Sequence, residues 1–381
     1  MNLFILGVTG SIGVQTLDIV RRSNGLFKVV SVTANNNIGR LEDIITEFQP
    51  KYVSVGLEVV MHDLMKKYPN VEFGYGRTGL IEAATYGEVG DDLVVNAIVG
   101  SAGLEPTIHA ISYGRNIALA NKETLVIGGE LITPLLQKHG VRLIPIDSEH
   151  SAILQCLKGE DPSLIRHVVI TASGGSFRDK TRDELANVTV QDALRHPNWV
   201  MGAKITIDSA TMMNKGLEII EAHHLFGVGY DQIQTVLHKE SIIHSLVEYQ
   251  DMSMIAHLGN PDMRVPISYA LHYPKRAPYE GTPLDLVKLG SLHFEELSET
   301  RFPMVKYAVD AGRKGGYAPT VLNAANEAAV SLFLDGKIRF LQIEEIVLQC
   351  LNKFECNDEL SLEHILELDY LVKDYVHKTY S

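Results

Sequence analysis

Residues 3–13 read LFILGVTGSIG. The four apolar residues 3–6 have the length of a buried strand, glycines follow at 7, 10 and 13, and Ile12 to Arg22 carries helical periodicity. A strand that turns on glycines straight into a helix opens a βαβ unit. The GxxGxxG spacing lets a pyrophosphate approach backbone N–H groups at the helix N-terminus. A plain tight βα junction would use the same glycines, so the surrounding chain has to decide.

Further apolar runs follow: VVSVTA (29–34), YVSV (52–55), LVVNAIV (93–99), IALA (117–120) and VRLIPI (141–146). Helical segments such as Thr124 to His139 lie between them. Alternation of this kind predicts a parallel sheet with helices on both faces. The fold class is α/β, with an N-terminal Rossmann-like parallel sheet over residues 1–146. From 147 to 272 the texture changes, and HVVITAS (167–173), SIIHSLVEY (241–249) and SMIAHLG (253–259) read as strands of a central α+β catalytic domain. The long polar stretch 173–203 reads as a lid. Residues 273–296, with Pro274, Pro278, Gly281 and Pro283, read as a linker. Residues 297–381 carry four helical patterns and predict a C-terminal helical bundle.

At 381 residues, two or three domains are expected. The net charge of −13 argues against nucleic acid or an anionic membrane surface as partner. An anionic substrate would therefore need local positive charge. No apolar run approaches the ~18 residues of a membrane span. The chain opens with a strand at Leu3, leaving no room for a signal peptide, and a bacterial cytoplasmic protein is expected. Cys156, Cys350 and Cys356 form no metal-ligand pattern and read as reduced thiols.

NAD-preferring domains place an acid at the end of the second strand. Here Ala34-Asn35-Asn36-Asn37 stands there, with Arg40 beyond. The missing acid favours NADPH, and Arg40 reads either as a 2′-phosphate contact or as a solvated helix residue. Asn121-Lys122-Glu123 follows the strand IALA, where strand ends face the ligand crevice. A lysine there can polarise a carbonyl or stabilise an oxyanion, although a surface loop would read the same way.

IDSEHSAI (146–153) and MMNKGLEIIEAHH (212–224) supply three carboxylates, Asp147, Glu149 and Glu218. In an extended segment Asp147 and Glu149 point the same way, and Glu218 can arrive from a helix. Three carboxylates at one point need a cation, and all-oxygen ligation favours Mg²⁺ or Mn²⁺. Asp147 also reads as a simple helix N-cap. His150, His223 and His224 read as packed or supporting histidines rather than ligands. Asn214, Lys215 and Glu218 share a helix face. With Ser173, which precedes Gly174 and Gly175, and with Ser209, Asn214 and Lys215 would suit a phosphate. His196 and the only tryptophan, Trp199, sit in the lid.

The serial segments GVTGSIG, ALANKETLV, PIDSEHSAI, TASGGSFRD, HPNWVMGAKITIDSATMMNKGLEIIEA, LGNPDMRVPISYAL and NAANEAAV resemble those of the 1-deoxy-D-xylulose 5-phosphate reductoisomerase family, in order over nearly the whole chain. The resemblance implies a homodimer with an NADPH domain, a catalytic domain under a flexible lid and a C-terminal helical domain. It implies Asp147, Glu149 and Glu218 as metal ligands. Lys122, Ser148, Glu149, Ser173, His196, Trp199, Ser209, Asn214, Lys215 and Glu218 would bind substrate. Thr9, Gly10, Ser11, Ile12, Asn37, Asn121, Glu123 and Gly202 would contact NADPH, and Asn35 and Asn36, which depart from the family pattern, are expected at the same site. Lys122 would stabilise charge, and Glu149 and Glu218 would also move hydroxyl protons. One departure touches function: relatives often carry lysine where Asn36 stands, so a shallower preference for NADPH over NADH is expected. A semialdehyde dehydrogenase would need a cysteine nucleophile in a catalytic context, and a non-catalytic dinucleotide-binding regulator would have no need of the carboxylate triad.

Overall fold

The computed structural model describes residues 1–355 and 358–381, so Cys356 lies outside the described residues. The chain forms two compact units. The first comprises Met1–Thr124, Ile132–Ser151 and Asp262–Glu280, and the second Leu125–Leu131, Ala152–Pro261 and Gly281–Ser381.

The first unit is built on one parallel sheet: β1 (Asn2–Leu6), β2 (Lys28–Ala34), β3 (Tyr52–Val55), β4 (Glu72–Tyr75), β5 (Asp92–Asn96), β6 (Asn116–Leu119) and β7 (Leu143–Pro145), in the order β4-β3-β2-β1-β5-β6-β7. The predicted strands are present, but LVVNAIV stops at Asn96 and VRLIPI is confined to residues 143–145. β4 has no counterpart in the sequence reading. It is a four-residue edge strand, EFGY, with two exposed residues, and lacks the apolar run that marks the central strands. Strand order reverses beside β1, and the crevice at the carboxyl ends of β1 and β5 is the place where such sheets bind ligands.

Residues 262–280 belong to this unit rather than to the catalytic domain and linker expected for them. The helix Arg264–His272 buries Ile267, Ala270 and Leu271 and packs on the helix Ser11–Arg22 and on β7. Arg264 also reaches Asp18 at 3.4 Å.

The second unit holds a mixed sheet: β8 (Ile165–Ala172), β9 (Ile233–Leu237), β10 (Ile243–Tyr249), β11 (Met254–Leu258) and β12 (Glu295–Glu296), in the order β11-β10-β8-β9-β12. β8 and β9 are parallel, and the other neighbours are antiparallel. β9 and β12 were not anticipated: one is five residues long and interrupted by the adjacent polar pair Gln234 and Thr235, and the other is two glutamates long. The C-terminal bundle is borne out by the helices Pro303–Lys314, Ala318–Leu334, Gln342–Lys353 and Leu362–Tyr380. Proline stands in the first turn of the first two, where its missing N–H costs no helical bond.

The segment 173–203 is less open than a lid of that length implies. Phe177, Leu185 and Ala193 are buried, Arg182 is paired with Glu344, and Arg301 donates to the Phe177 carbonyl at 2.5 Å. The freest residue is Val200, which is 100% exposed beside Trp199. No helix among the described residues is long and apolar enough to cross a membrane.

At the amino ends of the first sheet, Arg115 is fully buried. Its guanidinium donates to Asp92 at 3.1 Å and to the carbonyls of Ala84 and Tyr86 at 2.9 and 2.6 Å, and it lies 3.8 Å from the Phe4 ring centroid. Removing one partner of a buried ion pair strands the other charge. Arg115→Met is therefore expected to lower unfolding free energy by about 3–5 kcal/mol in urea titrations. NADPH affinity of the folded fraction should hardly change, because the crevice lies at the opposite strand ends. A loss below about 1 kcal/mol would show that Asp92 and the carbonyls are solvated rather than held by Arg115.

Candidate functional site

In the first unit, a cleft of about 530 Å³ opens over the carboxyl ends of the central strands. Gly7, Thr9, Gly10 and Asn35–Asn37 line it, as the dinucleotide reading requires. Gly7 adopts φ +84°, and a Cβ on Gly13 would lie 2.5 Å from the Gly7 carbonyl oxygen, so the turn can close on its helix only with glycine at both places. Ser11 and Ile12 then open the helix Ser11–Arg22, with Gly10 at its N-cap, and its first amides face the cleft end of β1.

Three polar side chains shape this cleft through contacts that the sequence did not reveal. Asn37 caps the helix Ile38–Phe48, its side-chain oxygen accepting from the Arg40 amide at 3.2 Å. The guanidinium of the exposed Arg40 donates to the Thr9 carbonyl at 3.2 Å, so this side chain reaches the glycine turn. Asn121 is buried, caps the helix Lys122–His139, and donates to the carbonyls of Ile98 and Gly100 at 2.7 and 2.9 Å. It thus holds the loop whose residues Ile98 and Val99 line the cleft. Glu123 follows it and is buried.

β6 and β7 are neighbours, so the residues just past their carboxyl ends meet. Lys122, buried at the start of its helix, pairs with Asp147 at 2.6 Å. Asp147 and Glu149 do not lie in an extended segment, which corrects the sequence reading. β7 ends at Pro145, and the helix Ser148–Cys156 begins at once. The Asp147 carbonyl accepts from the Ser151 amide at 2.8 Å, so Asp147 stands at the helix N-terminus and Glu149 in its first turn. A carboxylate at that end is favoured by the unsatisfied amides and the helix dipole. The Ser148 hydroxyl donates to the Glu149 carboxylate.

In the second unit, β8 ends at Ala172 and the chain turns through Ser173, Gly174 and Gly175, the two glycines at φ +83° and +66°. A Cβ on Gly175 would come within 2.3 Å of the Ser209 carbonyl oxygen. The Ser173 turn is therefore seated directly against the helix Ala203–Thr211, which carries Ser209 and begins after Gly202. Met212, at φ +63°, ends that helix and starts Met213–Phe226. This tight kink sets Ser209 on one helix beside Asn214, Lys215 and Glu218 on the next. Asn214 and Lys215 both donate to Glu218, on the shared face anticipated from their spacing. Lys215 and Glu218 are almost wholly buried.

His196 approaches the Ser173 hydroxyl at 3.0 Å through Nε2. Its Nδ1 accepts from the Asn198 and Trp199 amides at 3.2 and 2.9 Å. Asn198 donates to the Lys239 carbonyl and the Ser241 hydroxyl at 2.7 Å each, tying the base of the Trp199 tip to the strand region. In the sequence Asn198 carries no signal of this role beyond its place in HPNW. Trp199 lies 6.3 Å from the His244 ring and is partly exposed. His223 stacks on Tyr230 and bonds the Val228 carbonyl at 2.8 Å, and burial lowers His224 to about 4. Both are packed histidines, as expected. His150 is fully buried.

Family models described as 1-deoxy-D-xylulose 5-phosphate reductoisomerase and as its C-terminal domain match residues 3–129 and 143–226, and one described as the DXP reductoisomerase C-terminal domain matches 258–375. The chain is 55% identical over 374 residues to 1-deoxy-D-xylulose 5-phosphate reductoisomerase of Geobacillus sp. (strain WCH70), covering 98% of each chain. It is 54% identical over 379 residues to that of Bacillus subtilis (strain 168), covering 99% of this chain and 98% of the relative. Among solved structures, the Zymomonas mobilis reductoisomerase in complex with NADPH superposes with a TM-score of 0.92 at 41% identity, covering 100% of this chain and 99% of that one. A DOX-P reductoisomerase in complex with NADPH, fosmidomycin and magnesium gives 0.94 at 43%, covering 99% and 98%. The chain belongs to the 1-deoxy-D-xylulose 5-phosphate reductoisomerase family.

Proposed function

We propose that the chain converts 1-deoxy-D-xylulose 5-phosphate to 2-C-methyl-D-erythritol 4-phosphate, using NADPH and one divalent cation held by Asp147, Glu149 and Glu218. Family membership supports the reaction, and one observation carries the site. In the first unit the carboxylates of Asp147 and Glu149 stand together at the start of one helix, with Lys122 on Asp147, and Glu218 of the second unit is the third acid that the family resemblance assigns to the ion. The donor set is all oxygen and suits a hard cation, Mg²⁺ or Mn²⁺. When bound, the cation supplies Lewis-acid polarisation of the substrate carbonyl and NADPH supplies the reducing equivalent.

The protein's own groups do the rest. Lys122 and Lys215 answer two of the three carboxylates, leaving one net negative charge that a divalent cation would reverse. A net positive site then attracts a sugar phosphate despite the protein's charge of −13. Ser173, Ser209, Asn214 and Lys215 receive the phosphate, and Lys122 with Ser148 orients the carbonyl end. Glu149 accepts a hydrogen bond from the Ser148 hydroxyl and is placed to exchange a proton with a substrate hydroxyl. Because His196 Nδ1 accepts two amide protons, its Nε2 carries the hydrogen and donates to Ser173. The Ser173 hydroxyl, which also accepts from the Gly175 amide at 3.3 Å, keeps its own proton for the phosphate. Trp199 at the exposed tip covers the ligand, and Gly202, Asn121 and Glu123 border the nicotinamide end. Thr9, Gly10, Ser11 and Ile12 hold the pyrophosphate. β11 is an edge strand with exposed Met254, Ile255 and Leu258, which supports a homodimer joined along that edge. The buried free thiols of Cys156 and Cys350 are consistent with a reducing cytoplasm.

The reaction itself is tested by NADPH oxidation with the deoxyxylulose phosphate. It should cease on chelation and return with Mn²⁺ or Mg²⁺, and turnover that survives chelation would contradict the metal assignment. Glu218→Gln removes one anionic ligand in nearly the same volume, so it should keep the fold and weaken Mn²⁺ activation by at least about tenfold. Full turnover at wild-type Mn²⁺ levels would remove Glu218 from the site.

Burial and the nearby Arg178 cation lower His196 to about 4. A histidine whose folded pKa is depressed adds stability that is fully present above its unfolded value of about 6.5 and is lost as pH falls toward 4. Nitrogen NMR of the ligand-free protein should show a neutral Nε2–H imidazole at pH 5.5. A protonated ring at that pH would break the donor order assigned to Ser173.

Asn36 is exposed and lines the cleft, at the place where the family resemblance leads one to expect a lysine. Asn36→Lys should tighten NADPH binding by about 0.5–1.5 kcal/mol, less at high salt, and leave NADH nearly untouched. Equal gains for both cofactors would place the 2′-phosphate elsewhere.

A further inference from the structure

The helix Ala203–Thr211 carries Ser209, yet it is anchored from the C-terminal bundle. Asp208, one residue before Ser209, is almost wholly buried. Its carboxylate takes Lys204 at 2.8 Å on one oxygen, and on the other it accepts from the Asn326 amide at 2.8 Å. Asn326 comes from the helix Ala318–Leu334, 118 residues away in sequence, and is fully buried. Among the described residues its side-chain oxygen has no hydrogen-bond partner. A buried amide left half satisfied carries a stability cost, so a fold built for stability alone would favour an apolar residue there. Its one side-chain hydrogen bond goes to Asp208.

Successive helical residues lie about 100° apart, so fixing Asp208 fixes the rotation of the helix and hence the direction of Ser209. The Ser209 carbonyl is also the surface on which the Gly175 turn, and with it Ser173, is seated. We propose that Asn326 is a positioning residue for the phosphate end of the substrate: through Asp208 it sets the helix that aims Ser209 and supports Ser173. The inference rests on the reading of Ser173, Ser209, Asn214 and Lys215 as the phosphate site. It gives the C-terminal helical domain a part in substrate recognition without contact with the substrate.

The test uses the full-length enzyme with Mn²⁺ and NADPH, with far-UV circular dichroism as the fold control. For Asn326→Ala, the KM for the sugar phosphate and the inhibition constant of inorganic phosphate should both rise about fivefold while kcat stays within about threefold, the signature of lost binding rather than lost chemistry. Asn326→Ser, which keeps a short donor, should lie between it and the wild type, and it carries the test if the alanine variant does not fold. Unchanged KM and phosphate inhibition in the folded variants, or a fall in kcat alone, would overturn the role of Asn326. Ser209→Ala measured in parallel separates the two readings. If it leaves KM and phosphate inhibition unchanged, the phosphate site itself is misassigned and the inference falls with it; if it raises them while Asn326 variants do not, only the positioning role fails.

Discussion

Carboxylates removed from water and set near one another repel strongly unless cations stand between them. That constraint organises the site. Asp147 is met by Lys122 at 2.6 Å, and Glu218 by Lys215 with a further amide from Asn214. Each pairing follows from local structure. Lys122 and Asp147 meet because adjacent parallel strands deliver the residues beyond their ends to one place. Lys215 and Glu218 meet because they stand three apart on a helix. Each ammonium group makes its own acid tolerable, and in the proposed site the three acids together would still carry one net negative charge for a hard divalent ion to answer.

The same lysines reconcile an acidic protein with an anionic substrate. Over the whole surface the field is negative, while two almost buried cations act over a short range where solvent screening is weak. Hydroxyl and amide donors surround Lys215, and each is oriented by a neighbour: Ser173 by His196 and the Gly175 amide, and Ser209 by the helix that Asp208 anchors. In the proposed phosphate site the binding groups are therefore few, and the residues that aim them come from several elements of the second unit.

Much of this was legible in the sequence because periodicity and glycine spacing record burial and turn geometry directly. The central strands, the glycine turn into the first helix and the four C-terminal helices are of that kind. β4, β9 and β12 were not, since edge or short strands carry too little apolar pattern. Asp147 and Glu149 were assigned to an extended segment because two-residue spacing fits a strand. The chain instead caps a helix there, and the signal available was the N-cap reading of Asp147 before Ser-Glu-His. The length of 173–203 suggested a lid, whereas most of it is tied down by Phe177, Leu185 and the Arg182–Glu344 pair. Contacts made across long sequence separations, such as Asn326 with Asp208, leave no local pattern at all.

The central claim is that the three carboxylates hold one ion. Calorimetric titration of Mn²⁺ into the chelator-treated protein, without substrate or cofactor, tests it most directly. The account predicts one ion per chain, with the binding heat greatly reduced when Asp147 is replaced by asparagine and unchanged when the exposed Glu359 is replaced by glutamine. An affinity that survives the Asp147 replacement, or a stoichiometry other than one, would contradict it.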